Sequence, residues 1–344
     1  MKMSTLVAAV FCVLLGSVAP IHAQGAKVRI KKVEDAVEFY VGDELVTRYL
    51  IGTARPKPIF WPVNAPGGVP LTRSWPMAKP LPGEATDHPH QQSAWFCHGD
   101  IVPEGMKLKT KIKNIAGVDF WSIAKGHGKM LVTSVGPPAI AANSGSIVTK
   151  NEWHTADGVK IMDETRTIRL YAMPKARLMV VSCDLFASVC NLTFADTKEG
   201  AFGIRINDVI HASGATKKRP AGKGKIQNAE GKIGEKACWG QRSAWCDYSG
   251  PIGGKTVGLA VFDDPTNPYP SCWHVRGYGL MAANPFGRAK RANFPGVKGS
   301  NDLVRLEKGK HLTFRYGMLL HTGDAFDGQV EPHYQRYVKL RDKE

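Results

Sequence analysis

Apolar and polar residues alternate with a period of two along most of this chain. Such alternation places apolar side chains on one face of an extended strand and polar side chains on the other. The strands predicted in this way are residues 28–33, 37–41, 45–51, 107–112, 130–135, 146–153, 159–172, 178–186, 202–206, 256–262 and 312–320. One short helix is predicted near residues 332–340. Many short strands separated by glycine- and proline-rich turns favour an all-β sandwich or barrel.

Two stretches interrupt this alternation and are predicted to be long loops. Residues 54–85 are rich in proline and aromatic residues, which favours an ordered Ω-type loop folded over a functional site. Residues 216–236 contain seven Lys or Arg and two Glu, which favours an exposed, flexible loop. This basic loop either binds an anionic ligand or is a solvent-exposed loop without a binding role. No domain boundary is evident, so residues 24–344 are predicted to form a single domain.

The first residues have the pattern of an export signal. Lys2 precedes an apolar run from Leu6 to Leu15, and small residues follow up to Ala23. This arrangement predicts a signal peptide over residues 1–23 and a periplasmic or secreted mature protein. An uncleaved membrane anchor is the alternative, but the apolar run is short for a full span. No later stretch is long and apolar enough to cross a bilayer.

The chain of 344 residues carries a formal net charge of +16. This excess favours acidic partners such as anionic polysaccharide, cell-envelope polymers or membrane surfaces. Export and the lack of a nucleic-acid motif disfavour nucleic acid as the partner. The alternative is that the basic residues only keep the protein in solution.

Six of the seven cysteines follow the signal peptide, and an exported chain permits disulfides between them. The pairs Cys183/Cys190 and Cys238/Cys246 are close enough in sequence to form local bridges. Spacing alone does not decide the pairing. No CxxC motif is present, which disfavours a structural zinc site made of cysteines.

The stretch from Asp87 to Asp100 concentrates residues that carry chemistry. It holds three histidines and two aspartates within fourteen residues. Pro89 disfavours helical geometry for His88, so the start of the stretch is predicted to be extended, with His88 and His90 on one side. These histidines and aspartates can act as proton donors and acceptors. With Asp87 or the distant Glu152 as a third ligand, His88 and His90 also have the donor types that bind zinc, manganese or iron.

Several further segments resemble a known family. They are Val118-Asp119-Phe120-Trp121, Glu152-Trp153, Asp163-Glu164-Thr165-Arg166, Phe202-Gly203-Ile204-Arg205-Ile206, Asp247-Tyr248-Ser249-Gly250-Pro251, His274-Val275-Arg276-Gly277-Tyr278-Gly279-Leu280, Asn284-Pro285-Phe286-Gly287 and His321-Thr322-Gly323-Asp324. Over residues 28–337 the chain resembles the bacterial exported family labelled methane oxygenase PmoA. The resemblance implies a large antiparallel β-sandwich similar to carbohydrate-active, galactose-mutarotase-like sandwiches. The chain departs from that family's pattern at Gln91 and Gln92.

Sugar chemistry needs an acid, a base and a cation that stabilises developing negative charge. The candidate catalytic residues are His88, His90, His274 and Glu152. The candidate substrate-binding residues are Arg205, Arg276, Trp95, Trp121 and Asn284. In a strand, His274 and Arg276 face one way while Trp273 and Val275 face the other. The alternative roles are core histidines, cross-strand ion pairs and core tryptophans.

These features predict an exported, carbohydrate-active protein that cleaves glycosides as a lyase or hydrolase on an oxidised or anionic sugar. The alternative is a non-catalytic glycan-binding or cell-envelope protein. Clustering of the distant histidines in one cleft would favour the enzyme. The methane oxygenase label is a third and disfavoured hypothesis, because the membrane subunit with that name is a bundle of transmembrane helices.

Overall fold

The computed structural model describes residues 27–216 and 220–340. The predicted signal peptide, residues 1–23, lies outside the described residues. The strands are β1 Val28–Val33, β2 Ala36–Val41, β3 Glu44–Leu50, β4 Ile59–Ala65, β5 Val69–Pro70, β6 Ala94–His98, β7 Ile101–Pro103, β8 Lys129–Val135, β9 Ala139–Ile140, β10 Ser144–His154, β11 Lys160–Met173, β12 Ala176–Phe186, β13 Leu192–Phe194, β14 Gly200–Arg205, β15 Lys225–Asn228, β16 Trp245–Ile252, β17 Lys255–Asp263, β18 Cys272–Arg276, β19 Leu280–Asn284, β20 Val304–Leu306 and β21 His311–Thr322. The helices are α1 Glu235–Cys238 and α2 Val330–Leu340.

Over the described residues the strands form two large sheets and one small sheet. The first large sheet has the order β1-β2-β3-β4-β6-β14-β19-β18, and the second has the order β15-β16-β17-β21-β12-β11-β10-β8. The short strands β5 and β9 add to β4 and β10, while β20, β13 and β7 form the small sheet. Neighbouring strands run antiparallel throughout, from β1 with β2 to β17 with β21. The predicted all-β, antiparallel fold class is confirmed.

The two large sheets pack face to face over one hydrophobic core. Phe96 on β6 meets Trp153 on β10 with ring centroids 6.3 Å apart. Phe202 on β14 stacks on Tyr316 of β21 at 5.3 Å. All four side chains are buried. Because facing sheets lie about 10 Å apart, rings that alternate inward from each sheet meet in the middle of the sandwich.

Helix α2 covers the outer face of the second sheet. On β12, Leu178 and Val180 point away from the main core and join a second cluster with the helix. Tyr334 and Tyr337 of α2 each approach the ring of Phe262 to 5.5 Å. Strand β12 thus has apolar side chains on both faces, and helix α2 buries the outward-facing ones. The predicted helix near residues 332–340 is confirmed.

Three predicted segments differ from the structure in their secondary structure. Residues 107–112 form an irregular loop instead of a strand, because their apolar positions pack on the core without a neighbouring strand to pair with. The predicted loop 54–85 contains β4, whose Phe60 and Val63 are buried. The described part of the predicted loop 216–236 contains β15, where Ile226 is buried and anchors the segment to β16.

The permitted disulfides are not formed in the described part of the chain. Cys97, Cys183, Cys190, Cys238, Cys246 and Cys272 are free thiols. Cys183 lies in the core, whereas the Cys190 sulfur lies 3.6 Å from the sulfur of Met106. Cys183 and Cys190 therefore occupy different packing environments, whereas Cys238 and Cys246 lie in the same core cluster as free thiols. Among the described residues, no helix is both long enough and apolar enough to cross a membrane.

Candidate functional site

The predicted histidines converge on a pocket of about 240 Å³ at the end of β18. The pocket is lined by polar and charged side chains: His88, His90, Gln91, Lys198, Glu199, His274, Arg276 and Tyr278. Four of these residues were candidates from the sequence: His88, His90, His274 and Arg276. They come from two segments that are far apart in the chain, and the sandwich brings them together.

Strand β18 supplies His274 and Arg276 to the pocket. Their neighbours Trp273 and Val275 are completely buried on the opposite side, as strand alternation requires. The Nδ1 atom of His274 lies 2.8 Å from the carbonyl oxygen of Lys198. Burial lowers the pKa of His274 to about 3, and the nearby positive charge of Lys198 adds to that effect. His274 is therefore an uncharged imidazole at neutral pH.

The turn at residues 87–91 supplies His88 and His90. His88 has φ +48°, so the predicted extended conformation is wrong at this residue, and the chain turns sharply here. The His88 ring stacks on Tyr278 at 5.0 Å and meets the His90 ring edge-on at 5.7 Å. Burial and the charge of Lys57 lower the pKa of His90 to about 4. Both imidazoles face the pocket from a tightly defined turn.

Two buried guanidinium groups and the half-exposed carboxylate of Asp87 form a network that supports this turn from behind. The Oδ1 atom of Asp87 accepts hydrogen bonds from Arg73 and Arg205, each at 2.8 Å. Arg205 also donates to the side-chain oxygen of Gln91 at 2.7 Å. Burial by itself would raise the pKa of Asp87, but the charges of Arg205 and His88 and the hydrogen bond from Arg73 outweigh it and lower that pKa. Arg205, a predicted substrate-binding residue, is fully buried and holds the wall of the pocket.

Glu199 is one of the pocket residues that the sequence analysis missed, together with Lys198. Its carboxyl group is the one acidic side chain among the residues that line the pocket. Burial raises its pKa, although the charge of Lys198 partly opposes this shift. In the sequence, its position is marked only by the charged pair Lys198 and Glu199, which directly precedes the fully buried strand β14. Tyr278 was also missed as a site residue, although it belongs to a segment that the analysis singled out.

The remaining candidates lie elsewhere in the fold. Glu152 is bound to His154 at 2.8 Å and to Lys160 at 3.4 Å, outside the pocket lining. Trp95 and Trp121 form an edge-to-face pair at 5.0 Å inside the core, where a sugar ring cannot reach them.

Asn284 is also buried away from the pocket. Its amide nitrogen donates to the carbonyl oxygen of Thr197 at 2.9 Å, and its amide oxygen accepts from the backbone nitrogen of Phe286 at 2.9 Å. These bonds fix the turn after β19, so the side chain has a structural role here.

The candidate metal ligands do not converge. Among the residues that the structure describes, no three His, Cys, Asp or Glu side chains are placed to hold a metal ion. The Oδ1 atom of Asp87 is already bound by two guanidinium groups, and its Oδ2 atom lies 3.1 Å from His88. The donors Asp87, His88 and His90 therefore do not fit the predicted zinc, manganese or iron centre in this conformation.

The pocket nevertheless combines three kinds of chemical group. Burial raises the pKa of Glu199, which favours its protonated form, the form that can donate a proton. The imidazoles of His90 and His274 are uncharged and can bind hydroxyl groups. Lys198 and Arg276 supply positive charge at the rim, although Arg276 is also paired with Glu235 at 3.2 Å. This set suits proton transfer on a small anionic ligand.

Comparison with known families decides the family of this protein. The chain matches the Family of unknown function (DUF6807) over residues 36–335. The chain belongs to that family. The predicted membership of the family labelled methane oxygenase PmoA is therefore wrong, and the methane oxygenase hypothesis falls with it. No curated protein matches the sequence.

Solved structures similar to this member of the family include galactose mutarotase-like sandwiches. A galactose mutarotase-like protein from Lactobacillus casei ATCC 334 has 8% identity and a TM-score of 0.36, with 86% of this chain and 100% of that chain covered. The galactose 1-epimerase from Lactobacillus acidophilus NCFM has 7% identity and a TM-score of 0.38, with 87% and 99% covered.

An α-galactosidase from Lactobacillus brevis has 8% identity and a TM-score of 0.38 over 89% of this chain. This chain spans 40% of the length of that enzyme. At such identities and TM-scores no residue role is transferred from any of these proteins.

Proposed function

We propose that this protein is a carbohydrate-active enzyme that cleaves a glycosidic bond of an oxidised or anionic sugar, as a lyase or hydrolase. The observation that carries the proposal is the convergence of His88, His90 and His274 with Glu199 in one pocket. Export to the periplasm or the medium remains part of the proposal.

In this proposal Glu199 is the general acid. A carboxyl group with a raised pKa keeps its proton to higher pH and can pass it to a departing oxygen. His88 is the proton acceptor, because the Asp87 carboxylate 3.1 Å from its Nδ1 atom would neutralise the imidazolium that forms. His90 and His274 bind sugar hydroxyls through their uncharged rings. Proton donor and acceptor therefore belong to different walls of the same pocket.

The size and charge of the pocket set the substrate class. A volume of about 240 Å³ is smaller than the roughly 300–1,000 Å³ of pockets for drug-sized ligands, and it suits a single sugar ring. Lys198 and Arg276 would bind the carboxylate of a uronic acid or the oxygen of a keto-sugar. Neutral sugars lack a group that uses these charges.

The first experiment is a thermal-shift screen of the purified protein against neutral, acidic and keto-sugars, followed by product analysis on glycosides of the sugars that stabilise it. We expect acidic sugars to raise the melting temperature and their glycosides to be cleaved. His88→Ala and His274→Ala should each abolish turnover while the protein stays folded. Unchanged turnover in either variant would remove that histidine from the mechanism.

The second candidate function is glycan binding without catalysis. It is favoured by the exposed cationic side chain of Lys198 at the pocket rim, which can bind an acidic sugar without any proton transfer. Saturable binding of acidic sugars with no product from any glycoside would select it. The metal content of the purified protein, measured in the same preparation, tests the metal ligands predicted from the sequence.

A further inference from the structure

A second charged surface lies on the loop between β7 and Val118, named here the lysine loop (residues 104–117). Its four lysines are all exposed: Lys107, Lys109, Lys111 and Lys113. Between them, Met106 and Leu108 are partly buried against the main core. The alternation that predicted a strand is thus retained without strand pairing, and it turns every lysine toward solvent.

The lysine loop is an ordered element with both ends fixed. Ile101 and Val118 exchange two backbone hydrogen bonds of 3.0 and 2.8 Å, which bring the ends of the loop together. The buried carboxylate of Asp100 accepts hydrogen bonds from the backbone nitrogens of Gly117 at 2.7 Å and Ala116 at 3.1 Å. Because the backbone is fixed before any ligand binds, less conformational entropy is lost on binding.

The lysines of the lysine loop are not paired with acidic groups in the described part of the chain, although the exposed Asp157 lines a cavity together with Lys107. No acidic residue lies between Glu104 and Asp119. Glu104 is engaged by Arg305 through hydrogen bonds of 2.8 and 2.7 Å. Asp119 accepts from the backbone nitrogens of Trp121 and Ser122. Over residues 27–216 and 220–340, none of the four lysines forms an ion pair.

A fifth lysine joins this surface from the next turn. Gly126 packs on the lysine loop so closely that a methyl group there would lie 3.0 Å from Thr110. Its neighbour Lys125 is exposed. The surface therefore carries five exposed lysines on two contacting segments. A linear polymer with regularly spaced negative charges is the partner whose charge complements it.

We infer that the lysine loop and Lys125 form a docking surface for an acidic polysaccharide that bears carboxylate groups. Residues 104–117 contain no aromatic side chain to stack on bases and no exposed bulky apolar residue, and the segment of Lys125 adds a single one, Ile123, which disfavours nucleic acid and membrane. The choice of a polysaccharide rests on the proposed function, but the surface is separate from the residues that line the pocket. It would hold the polymer while the pocket receives one sugar.

The test uses the full mature chain and immobilised polygalacturonate at several salt concentrations, with neutral dextran as the reference polymer. The loop variant carries Lys107→Gln, Lys109→Gln, Lys111→Gln and Lys113→Gln. The control variant removes the same charge from exposed lysines dispersed over the fold, through Lys31→Gln, Lys255→Gln, Lys298→Gln and Lys339→Gln. We expect the loop variant to bind about tenfold more weakly at low salt, with a shallower salt dependence, since each lysine releases about one counterion. The control variant should stay within about twofold of the wild type.

Equal losses in the two variants, or no loss in the loop variant, would overturn the inference. So would equally tight binding to duplex DNA or to phosphatidylserine vesicles, because the surface would then lack preference for the polysaccharide. A Glu199→Gln variant separates this inference from the proposed function. If that variant loses turnover and still binds polygalacturonate, the proposed enzymatic function and the docking surface are both supported. If the wild type binds the polymer but never yields product, the docking surface stands and the enzyme does not.

Discussion

The carbonyl oxygen of Lys198 lies 2.8 Å from Nδ1 of His274. A carbonyl can only accept, so Nδ1 carries the proton and Nε2 keeps its lone pair. The residue after Lys198 is Glu199, whose carboxyl group lines the same pocket. One short segment before β14 therefore fixes the tautomer of an imidazole and supplies the acid beside it.

Removal of the Glu199 carboxyl should stop proton donation. We expect Glu199→Gln to lower kcat at least about a hundredfold, because general acid catalysis contributes about 10²- to 10⁴-fold. KM should change little, since the amide keeps the shape of the side chain. Steady-state kinetics on a glycoside found in the screen provide the measurement.

The matched control for this prediction is Glu152→Gln. Glu152 was the carboxylate candidate of the sequence, but it is paired with His154 and Lys160 outside the pocket lining. We expect its replacement to leave kcat within about threefold of the wild type. The reverse result, with Glu152 essential and Glu199 dispensable, would refute the assignment of Glu199.

Buried histidines should make the protein sensitive to mild acid. The pKa of His98 is lowered to about 4 and that of His274 to about 3, chiefly by burial. Unfolded histidine titrates near 6.5, so below that pH the unfolded chain binds protons that the folded chain does not. The stabilising contribution is therefore complete above about pH 6.5 and is lost as the pH falls toward the folded values.

Each buried histidine should lower the free energy of unfolding by about 1.4 kcal/mol per pH unit between roughly pH 6 and 4. Urea unfolding at several pH values measures the slope. His274→Gln should reduce that slope by about one proton. An unaltered slope in His274→Gln would mean that His274 is already charged in the folded protein.

The buried arginine behind the pocket should matter more for stability than the one at its rim. Arg205→Ala removes a fully buried guanidinium and its hydrogen bonds to Asp87 and Gln91, although Asp87 keeps its bond from Arg73, and it should cost about 2–3 kcal/mol. Arg276→Ala removes a half-exposed pair with Glu235 and should cost at most about 1 kcal/mol. Urea unfolding of the two variants at neutral pH compares these costs. Similar losses of unfolding free energy in the two variants would show that Arg205 contributes no more to stability than Arg276.

The ring of Tyr278 should position His88. Tyr278 stacks on the His88 imidazole and lies 4.7 Å from the Arg205 guanidinium. Tyr278→Phe keeps the ring and loses only the 3.3 Å hydrogen bond with Gln91, so it should bind acidic sugars within about threefold of the wild type.

Tyr278→Ala should abolish the thermal shift produced by acidic sugars, because the loss of an aromatic stacking partner releases His88. The far-ultraviolet circular dichroism of both variants should match the wild type. If Phe and Ala weaken binding equally, the hydroxyl group and not the ring is the important part.

The sequence alone determined ten of the 21 strands in the described part of the chain, because a period of two is a local property that a half-buried strand displays by itself. Strand β1 has the predicted bounds, and β10, β12 and β21 differ from prediction by only a few residues at their ends. The exception, residues 107–112, shows that alternation reports which side chains are buried and not whether a neighbouring strand is present. Alternation also placed His274 and Arg276 on one face of β18.

Only the tertiary structure decided the composition of the pocket. Asp87 and Arg205 are 118 positions apart, and His274 and Lys198 are 76 positions apart, so no local pattern relates them. Packing between strands that are distant in sequence also places Trp95 inside the core and Glu199 in the pocket. Sequence identifies side chains that can do chemistry, but burial and proximity arise from packing between distant strands, and these set the pKa and the partners of each group.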